Sequence, residues 1–224
     1  MKTHVIIVAG GSGTRFGGLI PKQFLPLAGL PVLMRTIDAF AALGGEIIVA
    51  LPQAHQATWQ QLCRQHGYHV PHHVVAGGDT RFHSVKHALD SITAMDPGDL
   101  VAVHDGVRPM VSRDLITRVL EAARQGGGAI PVVPVTDSIR QLDGSGGNHP
   151  VVRSSLRAVQ TPQCFHLDAL KQAYSLPASD TVTDDAMQYE RLGRSVTLVD
   201  GDPRNIKITG PADLAIAEML INHG

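Results

Sequence analysis

Short apolar runs and helix-period segments alternate along most of the chain, and that alternation limits the fold more than any other feature. Val5-Ile6-Ile7-Val8-Ala9, Ile47-Ile48-Val49-Ala50-Leu51, His73-Val74-Val75-Ala76 and Leu100-Val101-Ala102-Val103 are short and lack polar alternation. A strand wetted on one face alternates apolar with polar residues, so these runs predict strands buried on both faces. Between them the apolar period becomes helical. Leu33, Ile37, Phe40 and Ala41 share a face before Gly44-Gly45, Ala54 to His66 ends at Gly67, and Phe82, Val85, Ala88, Leu89 and Ile92 mark a third helix. Ser112 suits the N-cap of a helix to Gln125, with Gly126 just past its end. The pattern predicts an α/β fold: a Rossmann-like open, mostly parallel sheet with helices on both faces. The 224 residues suit a single domain over 1–224.

The alternation breaks between Thr136 and Gln160. Ala129 to Val135 still reads as a strand, with irregular pairing expected at Pro131 and Pro134. Gly144, Gly146, Gly147 and Pro150 then lie between short extended runs, "DSIRQL" and "VVRSSLRAV". This predicts a protruding hairpin arm at about 137–158. Helices follow at Leu167 to Tyr174 and Asp184 to Leu192, strands at Val196–Val199 and Ile206–Ile208, and a last helix from Pro211 to about Ile221.

Net charge is −1 and the pI is near 6.9, which argues against a broad nucleic-acid or membrane footprint. Any anionic ligand must be held by local cations. No run of 18 apolar residues occurs, and Met1-Lys2-Thr3-His4 leads straight into a strand, so neither a signal peptide nor a membrane span is expected. Two cysteines, Cys63 and Cys164, make no disulfide framework and fit a cytoplasmic setting.

The stretch Val8 to Gly29, "VAGGSGTRFGGLIPKQFLPLAG", carries the chemistry. It does not match G-x-G-x-x-G, because Phe16 takes the third glycine's place and Leu51-Pro52-Gln53 offers no ribose-binding acid. A dinucleotide oxidoreductase is thereby disfavoured. The phosphate-loop template fails too, since no lysine directly follows the glycines. Glycines after a buried strand still let bare backbone N–H groups approach an anion. Arg15 offers a planar fork of donors and Lys22 a compact charge behind the stiff Pro21.

"AGGSGTRF" followed by "PKQFLPLAG" resembles the signature of the sugar-nucleotidyltransferase superfamily. The "PKQ" form is similar to the cytidylyltransferases acting on methylerythritol phosphate and ribitol phosphate, the methylerythritol phosphate family being nearer. "GGDTRFHSV", "HDGVRP", "VTDSI", "LRAVQTPQCF", "TDDA" and "NIKIT" follow in the family's order across nearly the whole chain. The resemblance implies transfer of CMP from CTP to a sugar-alcohol phosphate with release of pyrophosphate. Ribitol phosphate is the alternative acceptor, and a catalytically inactive nucleotide-binding regulatory module is the alternative of a different class.

By the same resemblance Arg15 and Lys22 would stabilise charge on the reacting phosphates, while Arg153 and Lys207 would aim the attacking phosphate. Ala9, Gly10, Gly11, Gly13, Gly78, Asp79 and Ser84 would hold CTP. Asp105, Arg108, Thr136 and Thr161 would contact the polyol phosphate, although "DG" stands where relatives more often have "DA". Asp79 and Ser84 also suit helix capping, Asp105 a turn, Arg153 an exposed strand charge and Lys207 a solvated strand end. Mg²⁺ is the implied cofactor, carried mainly by CTP phosphates, with Asp105 as its one candidate protein contact and no dedicated site. The arm would make a homodimer in which each Arg153 serves the neighbouring site. Twelve histidines invite a metal reading, above all His83 and His87, but no accompanying glutamate supports it, and surface or structural roles are expected.

Overall fold

The computed structural model describes residues 1–11 and 20–223. Gly13 and Arg15 lie outside the described residues. In chain order the first half carries β1 (Thr3–Val8), β2 (Pro26–Leu27), β3 (Leu30–Pro31), α1 (Val32–Ala41), β4 (Ile47–Leu51), α2 (Gln53–Gln65), β5 (His73–Ala76), α3 (Arg81–Ser91) and β6 (Leu100–Asp105). The second half carries α4 (Arg113–Gly126), β7 (Gly128–Pro134), β8 (Ile139–Leu142), β9 (Asn148–Val151), β10 (Arg157–Val159), β11 (Gln163–His166), α5 (Leu167–Ser175), α6 (Asp185–Glu190), β12 (Thr197–Asp200) and α7 (Pro211–His223).

The predicted α/β architecture is present. Strands β7, β11, β6, β1, β4 and β5 lie side by side, and β10 and β12 also pair with β7. Pairings β6–β1, β1–β4, β4–β5 and β7–β12 are parallel. Period-two geometry sends alternate side chains to opposite faces. Val5 and Ile7 therefore pack with Leu33, Ile37, Phe40, Trp59 and Ile116 on one side. Ile6 packs with Val85, Leu89, Leu170 and Tyr189 on the other. A smaller cluster of Leu27, Val32, Val107, Ile208 and Ala217 seats α7 beside the end of β6.

Several features differ from expectation. β1, β4 and β6 are buried as predicted, but β5 is the edge strand and stays largely exposed. Ser112 caps α4 by accepting from the Leu115 amide at 3.2 Å, but Gly126 is the last helical residue and Gly127, at φ +85°, ends the helix. β11 has no counterpart in the sequence reading: it runs antiparallel between β6 and β7, so the sheet is mixed there. The expected irregularity at β7 is real, because β11 pairs with its first residues and β10 with its last. The arm is shorter than predicted. β8 and β9 form an isolated hairpin, whereas Arg157–Val159 return to the main sheet. Ile206–Ile208 is not a strand. Asn205 and Ile206 donate into a local turn, and the Ile208 amide reaches the Val107 carbonyl at 2.9 Å.

Candidate active site

A cleft opens at the carboxyl ends of β1 and β6, where an open α/β sheet presents its ligand site. Its wall includes Val8 to Gly11, Lys22, Gln23, Gly78 to Arg81, Ser84, Asp105, Val107 and Lys207. Four parts of the chain build it.

The first continues from β1. The Ala9 amide donates to the Ala50 carbonyl at 2.9 Å, and the Ala9 carbonyl accepts from the side chain of fully buried Gln23, also at 2.9 Å. A Cβ on Gly11 would sit 3.0 Å from Cε of Lys22, so that glycine lets the lysine lie close over the backbone. Lys22 opens one turn of 3₁₀ helix, Lys22–Phe24. The ring of Phe24 stacks on Trp59 at 6.1 Å between centroids, and the indole N–H of Trp59 donates to Nε2 of His72 at 3.0 Å. An aromatic cluster thus supports the turn carrying Lys22.

The second segment joins β5 to α3. The Gly78 amide donates to Oγ of Ser84 at 3.1 Å, and that hydroxyl donates to the Thr80 carbonyl at 3.0 Å. A Cβ on Gly78 would fall 2.3 Å from Cβ of His83, which excludes other residues there. Thr80, not Asp79, caps α3 by accepting from the His83 amide. Asp79 is left exposed on the cleft.

The third, Asp105 to Arg108, and the fourth, around Lys207, hold the charges. Oδ2 of Asp105 lies 3.1 Å from Nε of Arg108 and 3.1 Å from Nζ of Lys207. Burial pushes the Asp105 carboxyl up, but Lys207, Arg81 and Arg108 outweigh it and hold the group well below the usual carboxylate range. Nη1 of Arg108 donates to the Asn205 carbonyl at 2.8 Å, which ties it to the segment bearing Lys207. Beneath them runs a chain of buried hydrogen bonds. The Asp105 amide donates to Oγ1 of Thr161 at 3.1 Å, Oγ1 lies 2.9 Å from Nδ1 of His104, and Nε2 of His104 lies 3.1 Å from the Arg108 carbonyl. A carbonyl only accepts, so Nε2 carries the proton and Nδ1 accepts from Thr161. Burial holds His104 down to about 4, keeping it neutral.

The structure therefore brings Ala9, Gly10, Gly11, Lys22, Gly78, Asp79, Ser84, Asp105 and Lys207 to one cleft. Arg108 and Thr161 lie just beneath, and the Thr161 hydroxyl is committed to Asp105 and His104. Thr136 and Arg153 stand apart from this wall: they meet at the base of the hairpin, where Nη1 of Arg153 donates to the Thr136 carbonyl. Sequence reading does not single out Gln23, Arg81, Gln160 or Asn205. Gln160 donates to the Asp202 and Asn205 carbonyls, and Asn205 to the Thr161 carbonyl. The partners of Gln160 and Asn205 lie more than 40 residues away, so no local spacing reveals them.

The sequence profile of the 2-C-methyl-D-erythritol 4-phosphate cytidylyltransferase family matches residues 3–223. Relatives bearing that name include one from Phocaeicola vulgatus, 49% identical over 99% of this chain and 100% of the relative. Another, from Bacteroides thetaiotaomicron, is 48% identical with the same coverage. Among solved structures, the 2-C-methyl-D-erythritol 4-phosphate cytidylyltransferase of Thermus thermophilus superposes with a TM-score of 0.79 at 37% identity, covering 99% of this chain and 100% of that one. The Francisella tularensis enzyme gives 0.83 at 31% identity, covering 98% and 99%.

Proposed function

This chain belongs to the 2-C-methyl-D-erythritol 4-phosphate cytidylyltransferase family, and on that premise we propose that its cleft transfers CMP from CTP to 2-C-methyl-D-erythritol 4-phosphate, releasing pyrophosphate. The observation that carries the reading is the single carboxylate of Asp105 gripped by Arg108 and Lys207, in one cleft with the glycine backbone and Lys22. Such a site sets bare amides and a cation for a triphosphate beside a fixed cation for a second phosphate.

A phosphate monoester has its second pKa near 6, so at neutral pH it attacks without losing a proton first. Its oxygen forms a bond to the α-phosphorus, and the bond from that phosphorus to the pyrophosphate oxygen breaks. Positioning and charge stabilisation then suffice as catalysis. Lys22, with Arg15, faces the charge that builds on the α-phosphate and the leaving group. Backbone groups at Ala9, Gly10, Gly11 and Gly13, with Gly78, Asp79 and Ser84, seat the nucleotide. Lys207 and Arg153 aim the acceptor phosphate, and Asp105, Arg108 and Thr136 shape the polyol side. Thr161 acts on that side through the amide of Asp105.

The residues fit Mg²⁺ as a companion of the substrate. Among the described residues there is no group of three His, Cys, Asp or Glu side chains placed to hold a metal. One carboxylate beside phosphate oxygens is a donor set that Mg²⁺ commonly takes, and Asp105 would supply it. When bound, the ion neutralises charge on the triphosphate. The hairpin supports a homodimer. It leaves Leu142 77% exposed and holds Arg153 away from its own chain's cleft wall, so a second copy would receive it. No described helix is long and apolar enough to cross a membrane; a cytoplasmic setting is a separate part of the proposal.

Incubation with labelled CTP, Mg²⁺ and either 2-C-methyl-D-erythritol 4-phosphate or ribitol 5-phosphate tests the assignment. Pyrophosphate release with the first and little with the second is expected. The reverse would transfer the chain to the ribitol phosphate enzymes, and CTP binding without release in either arm would make it a binding module.

A further inference from the structure

Arg81 lies on the cleft wall as the first residue of α3, directly after the loop that carries Gly78 and Asp79. Its guanidinium does not reach outward. Nη1 and Nη2 donate to Oδ1 and Oδ2 of Asp185 at 2.8 and 2.6 Å, a two-pronged pair with a fully buried carboxylate. The hydroxyl of Tyr174 donates to the same Oδ1 at 2.5 Å, and the Tyr174 ring stacks on Phe82 at 4.9 Å. Asp185 is equally fixed from its own side. It opens α6, whose cap Asp184 accepts from the side chain of Gln163, while that side chain accepts from the Ala186 amide. The start of α3 is thus fastened to α5, α6 and β11 through one ion pair.

We propose that Arg81 is a positioning residue for the nucleotide: locked by Asp185 and Tyr174, it fixes the loop of Gly78 and Asp79 against the body of the domain. Ser84 fastens that loop only to its own helix. The Arg81 pair fastens the loop and the helix start together to α5 and α6, the neighbouring helices on the same face of the sheet. A planar fork satisfied by two carboxylate oxygens resists rotation in a way that one point charge cannot. The inference rests on the reading that CTP occupies the cleft. It adds that the acids of "TDDA", remote from the reacting atoms, set the fit of the nucleotide and not the speed of bond exchange.

The experiment measures steady-state kinetics, CTP calorimetry and thermal melting for wild type, Arg81→Lys, Asp185→Asn and Tyr174→Phe. Both ion-pair variants should raise KM and Kd for CTP about 10-fold, with a smaller change in kcat and in KM for the acceptor phosphate. Tyr174→Phe should shift CTP affinity about 3-fold in the same direction. A large fall in kcat at unchanged CTP affinity for Arg81→Lys, with activity retained in Asp185→Asn, would make Arg81 a direct phosphate contact and overturn the proposal. So would unchanged constants throughout, or equal weakening of both substrates in step with a lower melting temperature. If the ion-pair variants do not fold, Tyr174→Phe decides, and unchanged CTP affinity in it overturns the proposal. Failure of wild type to bind CTP would instead sink the underlying functional reading.

Discussion

The cleft and the hairpin arm are built by opposite means. Cleft contacts join residues far apart in sequence: Arg108 meets the Asn205 carbonyl, Asp105 meets Lys207, and Arg81 meets Asp185. They stand beside strands that are buried along most of their length. The arm is held by neighbours. β8 pairs only with β9, Arg140 bonds Asn148, and Asp143 accepts from the Ser145 and Gly147 amides at the turn. Two apolar side chains on and beside it face outward, Leu142 77% and Val152 71% exposed. A two-stranded hairpin is marginal alone. One chain thus ties its cleft together through long-range contacts, whereas its arm is secured by its own short hairpin.

The contrast breaks most sharply at Lys22. Lys22→Ala should lower turnover about 100- to 1000-fold, the usual cost of one preorganised donor, with far less effect on CTP affinity. Single-turnover kinetics with calorimetry would check it, and matched losses would reduce Lys22 to ground-state binding. The arm's proposed sharing between chains is tested by mixing Arg153→Ala with Lys22→Ala, each inactive alone. Random pairing makes half the dimers mixed, each with one whole site of two, so roughly a quarter of wild-type activity should return. No return despite demonstrated subunit exchange would confine each arm to its own chain.

Smaller effects sharpen the cleft's side. Thr161→Val leaves the buried Asp105 amide and Nδ1 of His104 unpaired and should cost about 1–3 kcal/mol in urea unfolding, with Thr161→Ser restoring most of it. The same buried chain gives a pH signature. His104 is held near 4 when folded against 6.5 ordinarily, so the unfolded chain takes up a proton that the folded one refuses. Stability should fall as pH drops from 6.5 towards 4, and His104→Asn should flatten that window. Asp105 acts lower: its depressed carboxyl contributes above its ordinary 3.8 and loses that contribution only below it. Least of all, Leu142→Ser should leave unfolding free energy within about 0.5 kcal/mol while weakening self-association in sedimentation velocity. A large stability loss would mean the arm packs on its own chain.

The same contrast explains what the sequence discloses. Ile47–Leu51 is legible to the residue, because a doubly buried strand writes a continuous apolar run. His73–Ala76 has the same bounds in sequence and structure, yet its place at the sheet edge is set by tertiary order that no local run records. β11 stays hidden, since Gln163, Cys164 and His166 serve a short antiparallel segment just after Pro162 and carry neither apolar period. Ile206 and Ile208 look strand-like because they are apolar at period two, yet they pack into the α7 cluster from a turn. Lys22, Asp105 and Lys207 follow from motif order, and the geometry unites them. Arg81 stands inside a recognised motif, but its partner is 104 residues away and nothing local marks the pair.

Trp59 is the only tryptophan in the chain, and it sits directly under the ring that follows Lys22 by two residues. The molecule thus carries a single tryptophan reporter against the turn that bears Lys22. Intrinsic emission needs no label to follow nucleotide arrival there in real time, and a stopped-flow trace would separate capture of the nucleotide from the chemistry that follows.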